Sequence, residues 1–315
     1  MTVSILKGDC RDVLRTLADE TVHCVVTSPP YWGLRDYGVD GQLGLERTLG
    51  EYVEVMIDVF RDVRRVLRSD GTLWLNLGDS YASAWACKRR NIIDAGSPGE
   101  DIERGRVSDG LKEKDLCGIP WRVAFALQAD GWWLRQDIIW SKPNPMPESV
   151  TDRCTKAHEY LFLLSKSERY YYDHNAVREP HIWAADSRND GQRHTYSDNA
   201  KHNQSDPDRQ RTKTDCVSFH PNGRNKRSVW EIATAPFSEA HFATFPPALI
   251  EPCIKAGCPQ GGTLLDPFGG AGTTGLVADR LGRNAILIEL NPEYAAMADR
   301  RIRDDAGMFA SVAAE

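Results

Sequence analysis

The sequence predicts an α/β fold built on a mostly parallel sheet, and three observations carry that expectation. Short apolar runs recur along the chain with helical patterns between them. Strands alternating with helices imply parallel strands covered on both faces. Two of the runs end in strongly punctuated segments, Thr27-Ser-Pro-Pro-Tyr-Trp32 and Asp266-Pro-Phe-Gly-Gly-Ala-Gly-Thr-Thr274. Finally, 315 residues at 41% hydrophobic and 27% charged suit one large α/β domain or two modest ones, with ample material for a core.

Taken in order, Val22-His-Cys-Val-Val-Thr27 reads as a buried strand. Val53, Met56, Phe60, Val63 and Leu67 follow helical spacing, and Ser69-Asp-Gly71 reads as the helix stop. Residues 72–77 form the next strand. Ile119-Pro120 opens a helix that Gly131 closes. Strands at 137–140 and 160–164 follow. A helix around Pro252-Cys253 precedes the strand 263–266, and Cys253 is expected in the core. A helix at 273–281, a strand at 285–289 and a helix at 292–302 complete the pattern. Two hydrophilic stretches, 83–116 and 178–228, cannot build a core alone. Loops of that length are commonly functional or mobile.

No apolar run approaches the ~18 residues of a membrane span, and Met1-Thr-Val-Ser leads into folded-looking sequence without a signal-peptide pattern. The eight cysteines are scattered, without C-x-x-C spacing, as reduced thiols in a cytoplasmic protein would be. Cys154 and His158 stand four apart, as zinc ligands can. No second pair accompanies them, so no metal is expected. The net charge of −6 argues only weakly against a nucleic-acid partner, because clustering matters more than the total. Residues 201–228 hold seven Lys and Arg against three Asp.

The glycine-rich segment follows a strand and opens a helix. Gly269, Gly270 and Gly272 let backbone approach a ligand and expose amides. The next strand ends in Glu289, whose carboxylate can accept from ribose hydroxyls. This is a nucleoside site at the carboxyl edge of a parallel sheet, without the G-K-[ST] of a phosphate loop. In the other segment Pro29 and Pro30 fix φ and delete two backbone donors. The Ser28 and Pro29 carbonyls and the Ser28 hydroxyl are then acceptors beside the rings of Tyr31 and Trp32. Such a pocket suits an amino group on a planar base. Either segment alone is also readable as an ordinary turn; together in one chain they favour a site.

In combination these motifs resemble those of the DNA amino-methyltransferases, in the order of the β class: catalytic motif first, cofactor motif last, target recognition between. Gly8-Asp9 with Leu14, residues 71–76, Trp140-Ser-Lys-Pro-Asn-Pro-Met-Pro147, His158-Glu-Tyr-Leu-Phe162 and Ala243-Thr-Phe-Pro246 are similar to further family segments. The resemblance implies a Rossmann-like methyltransferase fold with permuted motif order. Residues 1–177 and 229–315 would form the catalytic and cofactor-binding domain, 178–228 an inserted target-recognition region, and 83–116 a mobile loop. It implies S-adenosylmethionine as methyl donor. Glu289 would hold the ribose, and Asp266, Phe268, Gly269, Gly270, Gly272 and Thr273 the methionine end. Asp9 and Phe245 would lie near the adenine or methionine portion.

Ser28, Pro29, Pro30 and Tyr31 are the expected catalytic residues. They would draw the amine toward tetrahedral geometry for direct, in-line transfer to a base flipped out of duplex DNA. Serine at the head of S-P-P-Y resembles the cytosine-N4 enzymes; adenine-N6 enzymes more often carry Asp or Asn there. The candidate DNA contacts are Trp32, Lys142, Arg209, Arg211, Arg224, Lys226 and Arg227. The alternatives are adenine-N6 methylation, methylation of RNA or protein, and an inactive DNA-binding relative. A restriction endonuclease counterpart and a homodimer are both compatible with the sequence.

Overall fold

Burial on both sides of the central strands dictates a layered architecture. In the computed structural model β2 (Val22–Thr27) is buried from Cys24 to Thr27, and β3 (Leu67–Leu77) from Thr72 to Leu77. Successive strand residues point to opposite faces, so elements must cover each face. Val25, Leu73 and Leu75 join Tyr52, Phe60, Val63 and Leu127 in one core. That core involves α1 (Cys10–Thr16), α2 (Leu49–Val66) and α3 (Ile119–Ala129). On the other face lies α4 (Pro247–Gly257). A Cβ on its Gly257 would meet Thr72 Oγ1 at 2.5 Å and Trp74 Nε1 at 2.6 Å, so this helix approaches the sheet through bare backbone. Cys253 is fully buried on the same helix. Beside α4 pack α5 (Thr273–Arg280) and α6 (Pro292–Ala306).

The structure describes residues 1–34, 36–82, 110–181, 222–235, 245–306 and 312–314. Among these, nine strands form one sheet. The order is β6 (Val229–Glu231), β4 (Trp133–Ser141), β5 (His158–Ser165), β3, β2, β7 (Thr263–Asp266), β8 (Asn284–Glu289), β1 (Val3–Lys7) and β9 (Val312–Ala314). β5 runs antiparallel to both its neighbours and every other pair is parallel. β2 pairs with β7, Cys24 opposite Leu264 and Val25 opposite Leu265. The two punctuated segments therefore leave adjacent parallel strands at the same edge, where α/β sheets bind ligands. The described residues divide into two compact units, Met1–Tyr172 with Ser228–Glu315, and Asp173–Arg227.

One expected boundary is corrected. Ser69-Asp-Gly71 does not stop α2, which ends at Val66. Those residues lie within β3, where the ladder to β2 jumps from Val22–Leu67 to Cys24–Thr72 in a bulge. Gly71 suits the bulge because a Cβ there would meet Leu67 Cγ at 2.5 Å. The start of α2 rests on a capping box: Glu51 N donates to Thr48 Oγ1 and Thr48 N to Glu51 Oε2.

Candidate active site

The two motifs share one cavity of about 740 Å³ at the carboxyl edge of the sheet. A direct hydrogen bond ties their roots together: Thr27 Oγ1, last residue of β2, donates to Asp266 Oδ1, last residue of β7, at 2.6 Å. Thr274 Oγ1 donates to Asp266 Oδ2 at 2.6 Å and Phe268 N to Oδ1 at 3.1 Å. Burial pushes the Asp266 carboxyl up, and these three donors oppose the shift. Both Asp266 oxygens are thus engaged within the protein. The residue shapes the glycine turn and fixes the strand beside it.

Ser28, Pro29, Pro30 and Tyr31 all line the cavity. Tyr52 on α2 donates its phenol to the Pro30 carbonyl at 2.9 Å, bracing the turn from beneath. Tyr31 Oη donates to Glu159 Oε2 at 2.9 Å. Asn76 Nδ2 donates to the same oxygen at 3.2 Å, and Lys142 Nζ reaches Glu159 Oε1 at 2.5 Å. Burial first, and then the Glu159 charge, hold the Tyr31 phenol far above its ordinary range. It stays neutral and donating. Ser28 Oγ lies 3.4 Å from Tyr31 Oη, oriented to donate. The Tyr31 ring is seated against Gly78, where a Cβ would meet its Cε2 at 2.5 Å.

At the other end of the cavity, Glu289 Oε2 accepts from Gly270 N at 2.7 Å and Oε1 from Asn291 N at 2.8 Å. Burial raises the Glu289 carboxyl while those amides oppose the rise. Gly270 has φ +49, and Gly269 N donates to the Ile288 carbonyl, fastening the turn to β8. Phe268, Gly269, Gly270, Ala271 and Thr273 line the cavity, as do Asp9 and Phe245. Asp9 caps α1 and is held below the usual carboxylate range, chiefly by its hydrogen bond from Arg11. Thr273 Oγ1 accepts from Arg301 at 2.9 Å. Tyr37 and Tyr294 meet edge to face across 6.4 Å and complete this end. Gly272 is absent from the cavity wall; it has φ +75, and a Cβ there would meet Ala298 Cβ at 2.8 Å. Its role is the close packing of α5 on α6.

The expected DNA contacts that are described fall in both units. Trp32 packs on the core and donates its indole N–H to the Glu46 carbonyl at 3.0 Å, so the fold already uses this ring. Lys142 pairs with Glu159 and lies 4.4 Å from the Trp140 ring centre. In the unit Asp173–Arg227, Arg224, Lys226 and Arg227 converge on Glu179 at 3.1, 3.8 and 3.1 Å. Burial alone would raise the Glu179 carboxyl; bonds from Arg227 and the charges of Lys226 and Arg227 outweigh it and lower it. Arg209 and Arg211 lie outside the described residues, as do most of the stretches 83–116 and 178–228. Among the described residues no group of three or more His, Cys, Asp or Glu is placed to hold a metal, and no helix is long and apolar enough to cross a membrane. Thr27, Tyr52, Asn76 and Glu159 escaped assignment from sequence. Thr27, Asn76 and Glu159 lay inside segments that the sequence singled out, without a role assigned to them; Tyr52 carried no signal beyond its place in a helix.

Residues 22–300 match the family model described as DNA methylase, the N6/N4 methyltransferases. The chain belongs to this family. Among sequence relatives of this methylase, Type II methyltransferase M.SmaI of Serratia marcescens is 47% identical over 305 residues, spanning 95% of this chain and 90% of the relative. M.Cfr9I of Citrobacter freundii is 46% identical over 303 residues, spanning 96% and 88%. Among solved structures, the PvuII DNA methyltransferase (cytosine-N4-specific) superposes with TM-score 0.61 at 20% identity, covering 96% of this chain and 92% of that one. The Thermus thermophilus protein TTHA0409, solved with S-adenosyl-L-methionine, gives TM-score 0.60 at 24% identity and 99% coverage of both. These two likenesses establish the Rossmann-like fold.

Proposed function

We propose that this methylase moves a methyl group from S-adenosylmethionine to the exocyclic N4 amino group of a cytosine turned out of duplex DNA. The observation that carries the reading is the single cavity lined by both motifs, with Thr27 bonded to Asp266 at its root.

The residues at the glycine-turn end suit the donor. Glu289 is a carboxylate held by two backbone amides, with lone pairs remaining for ribose hydroxyls. Phe245, Phe268 and Tyr294 supply apolar walls, Asp9 a second carboxylate, and Gly269 and Gly270 open backbone. When bound, S-adenosylmethionine supplies an electrophilic methyl on a sulfonium. At the other end the Ser28 hydroxyl and Pro29 carbonyl accept from the amino group. That draws its lone pair out of conjugation with the ring. Preorganised acceptors of this kind need no rearrangement as charge develops. Glu159 draws on the Tyr31 phenol, and Ser28 is oriented to donate to that phenol. With its hydrogen turned to Tyr31, the Ser28 oxygen is left to accept, and the Glu159 carboxylate stands behind this neutral serine. The Tyr31 face offers stacking worth roughly 1–3 kcal/mol to the extruded base.

Serine at the head of S-P-P-Y supports cytosine-N4 over adenine-N6. Arg224, Lys226 and Arg227, with Arg209 and Arg211, support duplex DNA as the partner through residues 178–228. The relatives' Type II designation supports a companion restriction endonuclease that the methyl mark blocks.

The test is methyl transfer from labelled S-adenosylmethionine to duplex DNA, followed by nucleoside chromatography. N4-methylcytosine is expected. N6-methyladenine would reassign the base, and unlabelled DNA would overturn the proposal.

A further inference from the structure

Met146 is the most exposed of the large apolar side chains described, at 85%, and it lines the cavity, so it stands at the rim. Its mounting is stiff. Pro145 and Pro147 fix φ on either side. Asn144 Nδ2 donates to the Thr234 carbonyl at 3.3 Å, and Thr234 N donates back to Asn144 Oδ1 at 2.9 Å. An apolar side chain left in water contributes almost nothing to folding, so stability does not explain why it is held so firmly. Leu34 lines the same cavity but is less exposed, at 56%.

We infer that Met146 is a wedge that enters the base stack of duplex DNA and fills the space left by the nucleotide turned into the cavity. The inference rests on the DNA-methylation reading above and names the side chain that stabilises the flipped state. Apolar wedges, methionine among them, unstack base steps when driven between them. Methionine is unbranched and polarisable, so it fills irregular gaps and packs well against aromatic rings. A mounting already fixed by two prolines and Asn144 loses little freedom on insertion. The occupant is duplex DNA because the rim belongs to the cavity that the base must enter.

The experiment uses the full chain and duplexes carrying a methylation site mapped with the wild-type protein. Single-turnover transfer of labelled methyl is followed for wild type, Met146→Ala, Met146→Leu and Leu34→Ala. One duplex pairs the target base normally; the other sets it against a mismatch, where extrusion is easier. Met146→Ala should slow transfer on the paired duplex about tenfold or more and come within about twofold of wild type on the mismatch. Met146→Leu should stay close to wild type on both. An unchanged rate for Met146→Ala on the paired duplex overturns the wedge, as does an equal loss on both duplexes. A mismatch-rescued loss in Leu34→Ala alone also overturns it. If wild type methylates no DNA, the methylation reading fails and the wedge with it; a wedge failure leaves wild type active.

Discussion

Glu159 ties three elements of this site together. It receives hydrogen bonds from Tyr31, Asn76 and Lys142, so replacing Tyr31 tests two contributions separately. Tyr31→Phe keeps the ring and removes one donor. It should lower kcat up to about tenfold, the order of a hydrogen bond to a charged group weakened by the remaining partners. Tyr31→Ala also removes the stacking face and should lower kcat/KM by a further ten- to hundredfold. Equal activity in all three proteins would remove Tyr31 from the chemistry. Glu289 yields a pH prediction. Burial raises its carboxyl above the ordinary value. The ionised form is the one that accepts from ribose hydroxyls, so donor affinity should weaken as pH falls through that raised value. The weakening should therefore begin at higher pH than for an ordinary glutamate. Calorimetric titration with S-adenosylmethionine should show this in wild type and lose it in Glu289→Gln. Ser28, Pro29, Tyr31 and Glu289 were legible because each sits in a local pattern whose chemistry can be read in one dimension. Thr27 and Asn76 were not, because an ordinary strand residue gains its role only from the neighbours that folding brings to it.

At the scale of elements, glycine conformation decides what the turn after β7 can do, and its glycines do not share one task. Gly269 and Gly270 face the cavity, whereas Gly272 lets α5 start against α6. Gly272→Ala would place a side chain at φ +75, costing about 1–2 kcal/mol. It would also drive a Cβ to 2.8 Å from Ala298 Cβ, adding roughly 1–3 kcal/mol of overpacking. Thermal unfolding should show a fall in Tm on the order of 5–10 °C; an unchanged Tm would mean that α6 yields freely. The sequence grouped these glycines together because a glycine's letter does not say whether it makes room for a ligand or for a helix. A similar limit explains the end of α2. Ser69-Asp-Gly71 is good helix-stop chemistry, yet it is equally good bulge chemistry. The β2–β3 pairing that chooses between them is non-local.

At the scale of the molecule, strand order does what neither motif does alone. It sets β2 beside β7 although more than two hundred residues separate Thr27 from Asp266 in sequence. Periodicity could announce parallel strands, but it does not say which of them become neighbours. Whole-chain charge gives as little guidance to DNA binding: −6 overall conceals a local excess of cations. In the unit Asp173–Arg227, Arg224, Lys226 and Arg227 all pair with the carboxylate of Glu179. They are not equivalent. The Arg227 side chain is 63% exposed, whereas that of Arg224 is 28% exposed and its backbone is paired with that of Glu179. A phosphate contact releases counterions, so losing one should reduce the slope of log affinity against log salt by about 1. Arg227→Ala should therefore weaken DNA binding and flatten that slope by about one unit. Arg224→Ala should change the slope less, because its side chain is less than half as exposed and so less open to a phosphate. Fluorescence anisotropy on a labelled duplex across a salt series measures both. A larger loss of slope for Arg224 would reverse the assignment, and wild-type slopes in both variants would move the phosphate contacts off this pair.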